Sequence, residues 1–156
     1  MANWPPVELE DAITASPQAL VEECYRLISF PAGSLPGWDR FKSLFVENAV
    51  LALRVFPEDD SMSVMNLDEY ARRQIRDGMQ EEGYTETVLR QEWFGFGDVC
   101  ETRVIFEMQF GDREPVPAFD IFQLVRLDGR WWIASITGEV PKPGVEVPGD
   151  LLAGSD

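Results

Sequence analysis

Residues 119–139 read FDIFQLVRLDGRWWIASITGE. Two apolar runs flank Asp128-Gly129, a pair whose members both tolerate positive φ and so suit a two-residue hairpin turn. Pairing across that turn sets Arg126 opposite Trp131, Leu124 opposite Ile133, Phe122 opposite Ser135 and Asp120 opposite Thr137 on one face. The other face takes Val125 with Trp132, Gln123 with Ala134 and Ile121 with Ile136, because strand side chains alternate. Both faces are largely apolar, so both need cover. Asp120 stands out as an acid among apolar strand residues, grouped with Ser135 and Thr137 at the end away from the turn. Such a group needs a partner or a function.

At 156 residues the chain is long enough for one domain with a real core. Its net charge of −15 argues against nucleic acid and anionic membrane surfaces as partners, because the summed field repels both. No apolar run approaches the ~20 residues that span a bilayer. The opening MANWPPVELED lacks the basic-then-apolar pattern of a secretory leader, so the chain reads as cytoplasmic. Cys24 and Cys100 sit in apolar patterns and read as reduced core residues. There is no histidine, which excludes Ser-His and Cys-His nucleophile pairs and disfavours a zinc site. A carboxylate site for Mg²⁺ or Ca²⁺ stays open in principle, but Glu58-Asp59-Asp60 has no ligand spacing and reads as a solvated loop. Nothing in the sequence implies a cofactor.

Taken in order, residues 1–15 read as a loosely ordered lead. Ser16 then suits an N-cap with Pro17 at the first helical position, and Leu20, Val21, Cys24, Tyr25, Leu27 and Ile28 line one face of a helix reaching about Phe30. A short second helix is expected around 38–45, a strand over 49–56 and a polar loop over 57–65. Asn66 with Glu69 three residues on predicts a capping box, opening a third helix that Gly83 ends. From Thr85 onward the pattern is all strand, 85–96, 99–110, 117–127 and 131–138, before a Pro/Gly-rich extended tail over 141–156. Helices followed by a run of strands predict an α+β domain over 1–140, with a curved antiparallel sheet wrapped around three N-terminal helices.

This order, with the ending GRWWIASI, resembles the nuclear transport factor 2-like superfamily, whose cystatin-like roll is a cone with an internal pocket. The functional likeness is to its ketosteroid isomerases. AFDIFQL is similar to their strand bearing the pocket aspartic acid, which assigns that place to Asp120; ECYRLI is similar to their tyrosine-bearing helix, which assigns the oxyanion-hole tyrosine to Tyr25. Where those isomerases carry their general base, this chain has Leu53, so proton transfer of that kind is not supported. Gapless matching turns Glu101, Arg103, Ile105 and Glu107 into the cone beside Phe122, Ser135 and Thr137, which implies a charged pocket suited to a small polar or anionic ligand.

Each of these residues also has a structural reading. Asp120 can be a strand-end aspartate bonded to Thr137, Tyr25 a core tyrosine, and Arg103 the partner of Glu92 across the strands, near Glu101 and Glu107. Two functions remain open: a non-catalytic domain that binds a small molecule, and an isomerase-, dehydratase- or cyclase-type enzyme acting through Asp120 and Tyr25. The apolar face of Ile121, Val125, Trp132 and Ile136 predicts a homodimer through the outer sheet.

Overall fold

Six strands form one curved sheet in the order β2-β1-β6-β5-β4-β3. The computed structural model describes residues 3–153. Residues 1–2 of the expected lead and 154–156 of the expected tail lie outside the described residues. The elements are α1 (Asp11–Thr14), α2 (Pro17–Ile28), α3 (Trp38–Lys42), β1 (Phe45–Leu53), β2 (Ser63–Met65), α4 (Leu67–Gln74), α5 (Met79–Glu82), β3 (Tyr84–Phe96), β4 (Val99–Phe110), β5 (Val116–Leu127), β6 (Arg130–Glu139) and α6 (Gly149–Ala153).

The last four strands are an antiparallel meander, as the turn signals require. β1 departs from an all-antiparallel sheet: it runs parallel to β6, with Leu51 beside Ile136. The connection between them contains the whole of β3–β5, so no tight turn dictates their direction. β2 lies within the expected polar loop and pairs with β1 at the sheet edge.

Two helix starts follow from local chemistry. The Ser16 hydroxyl accepts from the Ala19 N–H at 3.2 Å, with Pro17 at the first helical position. Asn66 and Glu69 close a reciprocal capping box on α4. The helix expected to reach Gly83 ends instead at Gln74; Gly78 takes positive φ and turns the chain into the separate α5. The concave face of the sheet packs on α2, α3 and α4. Leu20, Phe41, Leu44, Phe45, Phe122, Leu124 and Ile133 form the buried centre of that layer.

The segment 3–15 is docked rather than loose. The Trp4 indole N–H donates to the Phe45 carbonyl at 2.9 Å, the Val7 N–H donates to the Ser43 hydroxyl at 3.0 Å, and Leu9 is buried. The tail is not wholly extended either. Its α6 returns to the convex face of the sheet, where the Arg90 guanidinium donates to the Leu151 carbonyl.

Two departures from the expected register decide which side chains enter the cone, and only the first is a bulge. In β6 the pairing slips between Gln123–Ser135 and Leu124–Ile133, leaving Ala134 as an extra residue. Beyond this bulge every β6 side chain changes face relative to an unbroken ladder. Ile136 is therefore buried on the concave side, while Ser135 and Thr137 point outward beside Gln123 and Ile121. The placement of Ser135 and Thr137 in the pocket is corrected by this bulge, as is that of Ile136 on the outer face. The second correction concerns β4. Its buried face is Cys100, Thr102, Val104, Phe106 and Met108, so Glu101, Arg103, Ile105 and Glu107 occupy the convex side.

Val140 is the last core residue before the tail, and Val145 and Leu152 are exposed. Deleting the chain after Lys142 is therefore expected to lower the melting temperature, followed by circular dichroism, by only a few degrees. A loss of more than about 10 °C would show α6 to be part of the cooperative unit.

Candidate active site inside the cone

α2 points Tyr25 into the cone, where its ring tilts against Phe106 and Phe122 with centroids 5.5 and 5.7 Å away. Its hydroxyl donates to Oδ2 of Asp120 at 2.8 Å, joining the first long helix to β5 across the core. Asp120 faces Val104 on one neighbouring strand and Gly138 on the other. The glycine is required there: a Cβ at 138 would overlap the Asp120 carboxylate oxygen. Asp120 thus pairs with Tyr25, and Thr137, the alternative partner, faces away.

The structure adds a second acid, Glu86 on β3. It accepts a hydrogen bond from the Tyr84 hydroxyl and lines the same cavity as Tyr25 and Asp120. The sequence held a signal for it. In YTETVLR, period-two alternation puts Tyr84, Glu86 and Val88 on one face, so a buried face carries an acid. Ser29, just past α2, holds this strand to the helix: its hydroxyl accepts from the Glu86 N–H at 2.9 Å.

Of the residues expected at the pocket, Tyr25, Leu53, Asp120 and Phe122 line this cavity; Glu101, Arg103, Ile105, Glu107, Ser135 and Thr137 do not. Leu53 is buried and brings no carboxylate. Arg54 beside it donates to Glu139 and to the Asp59 carbonyl, both at 2.7 Å, and so is committed at the cavity's rim. Arg103 faces Glu92 across the strands, yet its ion pair is with Glu101 on its own strand at 3.4 Å, because Arg90 engages Glu92. Cys24 and Cys100 are both free and buried. Among the described residues no group of three or more Cys, Asp and Glu could hold a metal ion. No described helix is long and apolar enough to cross a membrane.

The enclosed space measures about 40 Å³. That is room for roughly three waters, against the ~300–1,000 Å³ of ordinary ligand sites. Burial pushes the Asp120 carboxyl up from 3.8 to about 7, with the Tyr25 hydrogen bond pulling back. Burial, with the charge of Asp120 added, pushes Glu86 from 4.5 to about 8, and the Tyr84 hydrogen bond opposes the rise. Tyr25 is raised well above the ordinary phenol range by burial and by the Asp120 charge, so it stays a donor. Near neutral pH the cavity therefore offers protonated or half-protonated carboxyls and a phenol O–H.

No protein-family model and no curated protein matches the chain. Solved structures do. A protein of unknown function with a cystatin-like fold from Nostoc punctiforme is 11% identical, with 82% of this chain and 90% of that one covered and a TM-score of 0.61. A nuclear transport factor 2-like protein from Novosphingobium aromaticivorans is 14% identical, with coverages of 78% and 77% and a TM-score of 0.57. A protein of that organism provisionally named a scytalone dehydratase is 11% identical, with coverages of 79% and 80% and a TM-score of 0.56. The chain thus has the cystatin-like fold of nuclear transport factor 2-like proteins. At these identities the likeness is one of fold.

Both carboxyls hold protons more tightly when folded than when unfolded, where acids titrate near ~4. The stability they contribute is full below about pH 4 and is lost as pH rises through about 7 for Asp120 and about 8 for Glu86. Glu86→Gln removes one ionisable group and is expected to raise the melting temperature more at pH 9 than at pH 4. The same gain at both pH values would contradict a raised Glu86.

Proposed function

We propose that this domain binds a compact, uncharged polar molecule inside the cone, without catalysis. The observation that carries this reading is the Tyr25–Asp120 hydrogen bond of 2.8 Å on the wall of a largely apolar cavity. A phenol beside a carboxyl that holds its proton up to about pH 7 can turn its donors toward a ligand oxygen. The expectation of an anionic ligand rested on Glu101, Arg103 and Glu107, which lie on the convex face. The one cationic side chain lining the cavity, Arg54, is committed to Glu139, so the lining supplies no free positive charge to hold an anion. Catalysis of the isomerase, dehydratase or cyclase type needs a proton acceptor beside the substrate; the resemblance puts that place on Leu53, and Glu86, the cavity's other carboxyl, is held to its proton up to about pH 8 by burial. The cavity volume of about 40 Å³ also admits no ring-sized substrate as it stands.

Carboxyl-carbon NMR is the direct test. Asp120 is expected to titrate near 7, and acetone is expected to shift the Asp120 and Tyr25 signals. Asp120→Asn keeps a donor and retains the acetone effect, while Asp120→Leu abolishes it with the fold intact. An Asp120 that titrates at about 4 or below is an ordinary solvated aspartate, and the binding reading would fall.

We also propose that the convex face pairs two copies of the chain. Phe96, 93% exposed, and Val99, Val125 and Leu127 cluster at the end of β3–β5, with Trp132 beside Val125 and capped by Arg130 at 3.5 Å. Burying such a patch at ~25 cal/mol per Å² supplies association energy before ordering costs. Sedimentation equilibrium at micromolar concentration is expected to show a dimer that Phe96→Lys weakens. A single monomeric species would refute it.

A further inference from the structure

The enclosed cavity is not alone. A groove of about 400 Å³ runs along the outside between α2 and β3, lined by Gln18, Val21 and Glu22 of the helix and Thr87, Val88 and Gln91 of the strand. Tyr25 and Glu86 line both the groove and the cavity. These two side chains are the partition between an outer space of ligand size and an inner space of water size.

The seam between α2 and β3 is tied by hydrogen bonds at its base. β3 is the edge strand of the sheet, so its outer edge meets α2 without a ladder. At the base, Phe30 and Tyr84 exchange two backbone hydrogen bonds, of 2.8 and 3.0 Å, and Ser29 ties down Glu86. Further along, β3 carries a bulge at Leu89, between the pairs Val88–Phe106 and Arg90–Ile105. Bulges bend a strand and sharpen its twist, which turns β3 away from the helix beyond the tie. Across this seam Tyr25 is held on the cavity side by one hydrogen bond, to Asp120.

We propose that the α2–β3 groove is the outer half of the binding site and that Tyr25 is the gate into its inner half. The ligand class is an aryl ketone, and the proposal rests on the uncharged-ligand reading above. With the Tyr25 ring swung toward the groove, cavity and groove join into a space within the ~300–1,000 Å³ range of small-molecule sites. The inner end of that space offers the Asp120 carboxyl, freed from Tyr25 and able to donate when protonated, so the ligand points an acceptor oxygen inward. The walls beyond are Val21 and Val88, which suit an apolar ring, and Gln18 and Gln91 meet its far edge. The ionisable groups facing the joined space are Glu22, Glu86 and Asp120, with Arg54 held at the opposite rim by Glu139. A carboxylate on the ligand would meet Glu22 and the partly ionised Asp120, with the cation of the lining, Arg54, already paired, which selects the ketone over the corresponding acid.

The probe is 4-fluoroacetophenone followed by fluorine NMR, with 4-fluorobenzoate as its anionic counterpart. Gln91 is exposed on the groove wall and pairs with the inward-facing Val104, so it shares the concave face, and Gln91→Trp fills the groove without touching the core. This variant is expected to weaken ketone binding by about tenfold or more, with Asp120 titrating as in the parent. Gln18→Trp on the helix wall of the groove serves if Gln91→Trp does not fold. Arg54→Ala, at the opposite rim, is expected to change ketone affinity by less than about twofold. Tyr25→Phe keeps the ring and removes the latch, so bound ketone is expected to exchange faster. Entry through the far rim would give the reverse pattern, insensitive to Gln91→Trp and sensitive to Arg54→Ala, and would overturn the proposal. So would benzoate binding as tightly as the ketone. If acetone shifts Asp120 but the aryl ketone does not bind, this inference fails while the binding reading stands. If neither ligand has an effect, both fall.

Discussion

One extra residue in β6 sets the chemistry of the interior. The hairpin of β5 and β6 is regular from its Asp128-Gly129 turn to Leu124–Ile133, and then Ala134 bulges out of the ladder. Without the bulge, Thr137 would sit opposite Asp120 inside the cone and offer it a hydroxyl. With it, Gly138 takes that position and leaves the carboxyl a slot with no side chain on that strand. Asp120 then depends on Tyr25, which reaches it from the other layer of the fold. The pair therefore reports on the packing of α2 against the sheet as much as on the strand itself.

Placing two carboxyls in this interior is expensive, and the structure shows how the cost is limited. Each acid accepts from a buried tyrosine, Asp120 from Tyr25 and Glu86 from Tyr84. Those phenols stay protonated because the same burial and the same acids push them up. Glu86 in turn remains largely neutral near physiological pH and Asp120 is about half so, which limits the unpaired buried charge. The true ion pairs lie elsewhere, as at Glu23, where buried carboxylate oxygens meet Arg26 and Arg40 at the junction of α2 and α3. That contrast separates an interior built for hydrogen bonding from a periphery built on charge.

The convex face shows the opposite logic. Glu92, Glu101 and Arg103 alternate there with Phe94, Ile105 and Phe119, and Leu151 of the tail packs among them. Charged side chains along a strand edge discourage uncontrolled strand pairing. The apolar cluster around Phe96 and Val99 lies beyond the part of this face that the tail reaches.

By itself the sequence determined the long elements and their order, though not α1, β2, α5 or α6. The Asp-Gly turn, the Ser16-Pro17 helix start and the Asn66–Glu69 box are local chemistry, and each needs only residues a few positions apart. The four long strands, and an acid on a buried face at position 120, were legible for the same reason: alternation is a property of the chain alone. Tertiary structure decided the faces. A bulge at Ala134 or Leu89 has no strong local signal, yet one residue of slip exchanges the two sides of a strand. That slip sent Ser135 and Thr137 outward and Ile136 inward, and an error of one position in matching β4 misplaced Glu101, Arg103, Ile105 and Glu107. Whether Asp120 would meet a hydroxyl on its own hairpin or the phenol of Tyr25, 95 residues away, could be settled only by packing helix against sheet. The volume left inside the cone was equally invisible in the sequence, because it is the residue of many side chains from different elements filling a shared space.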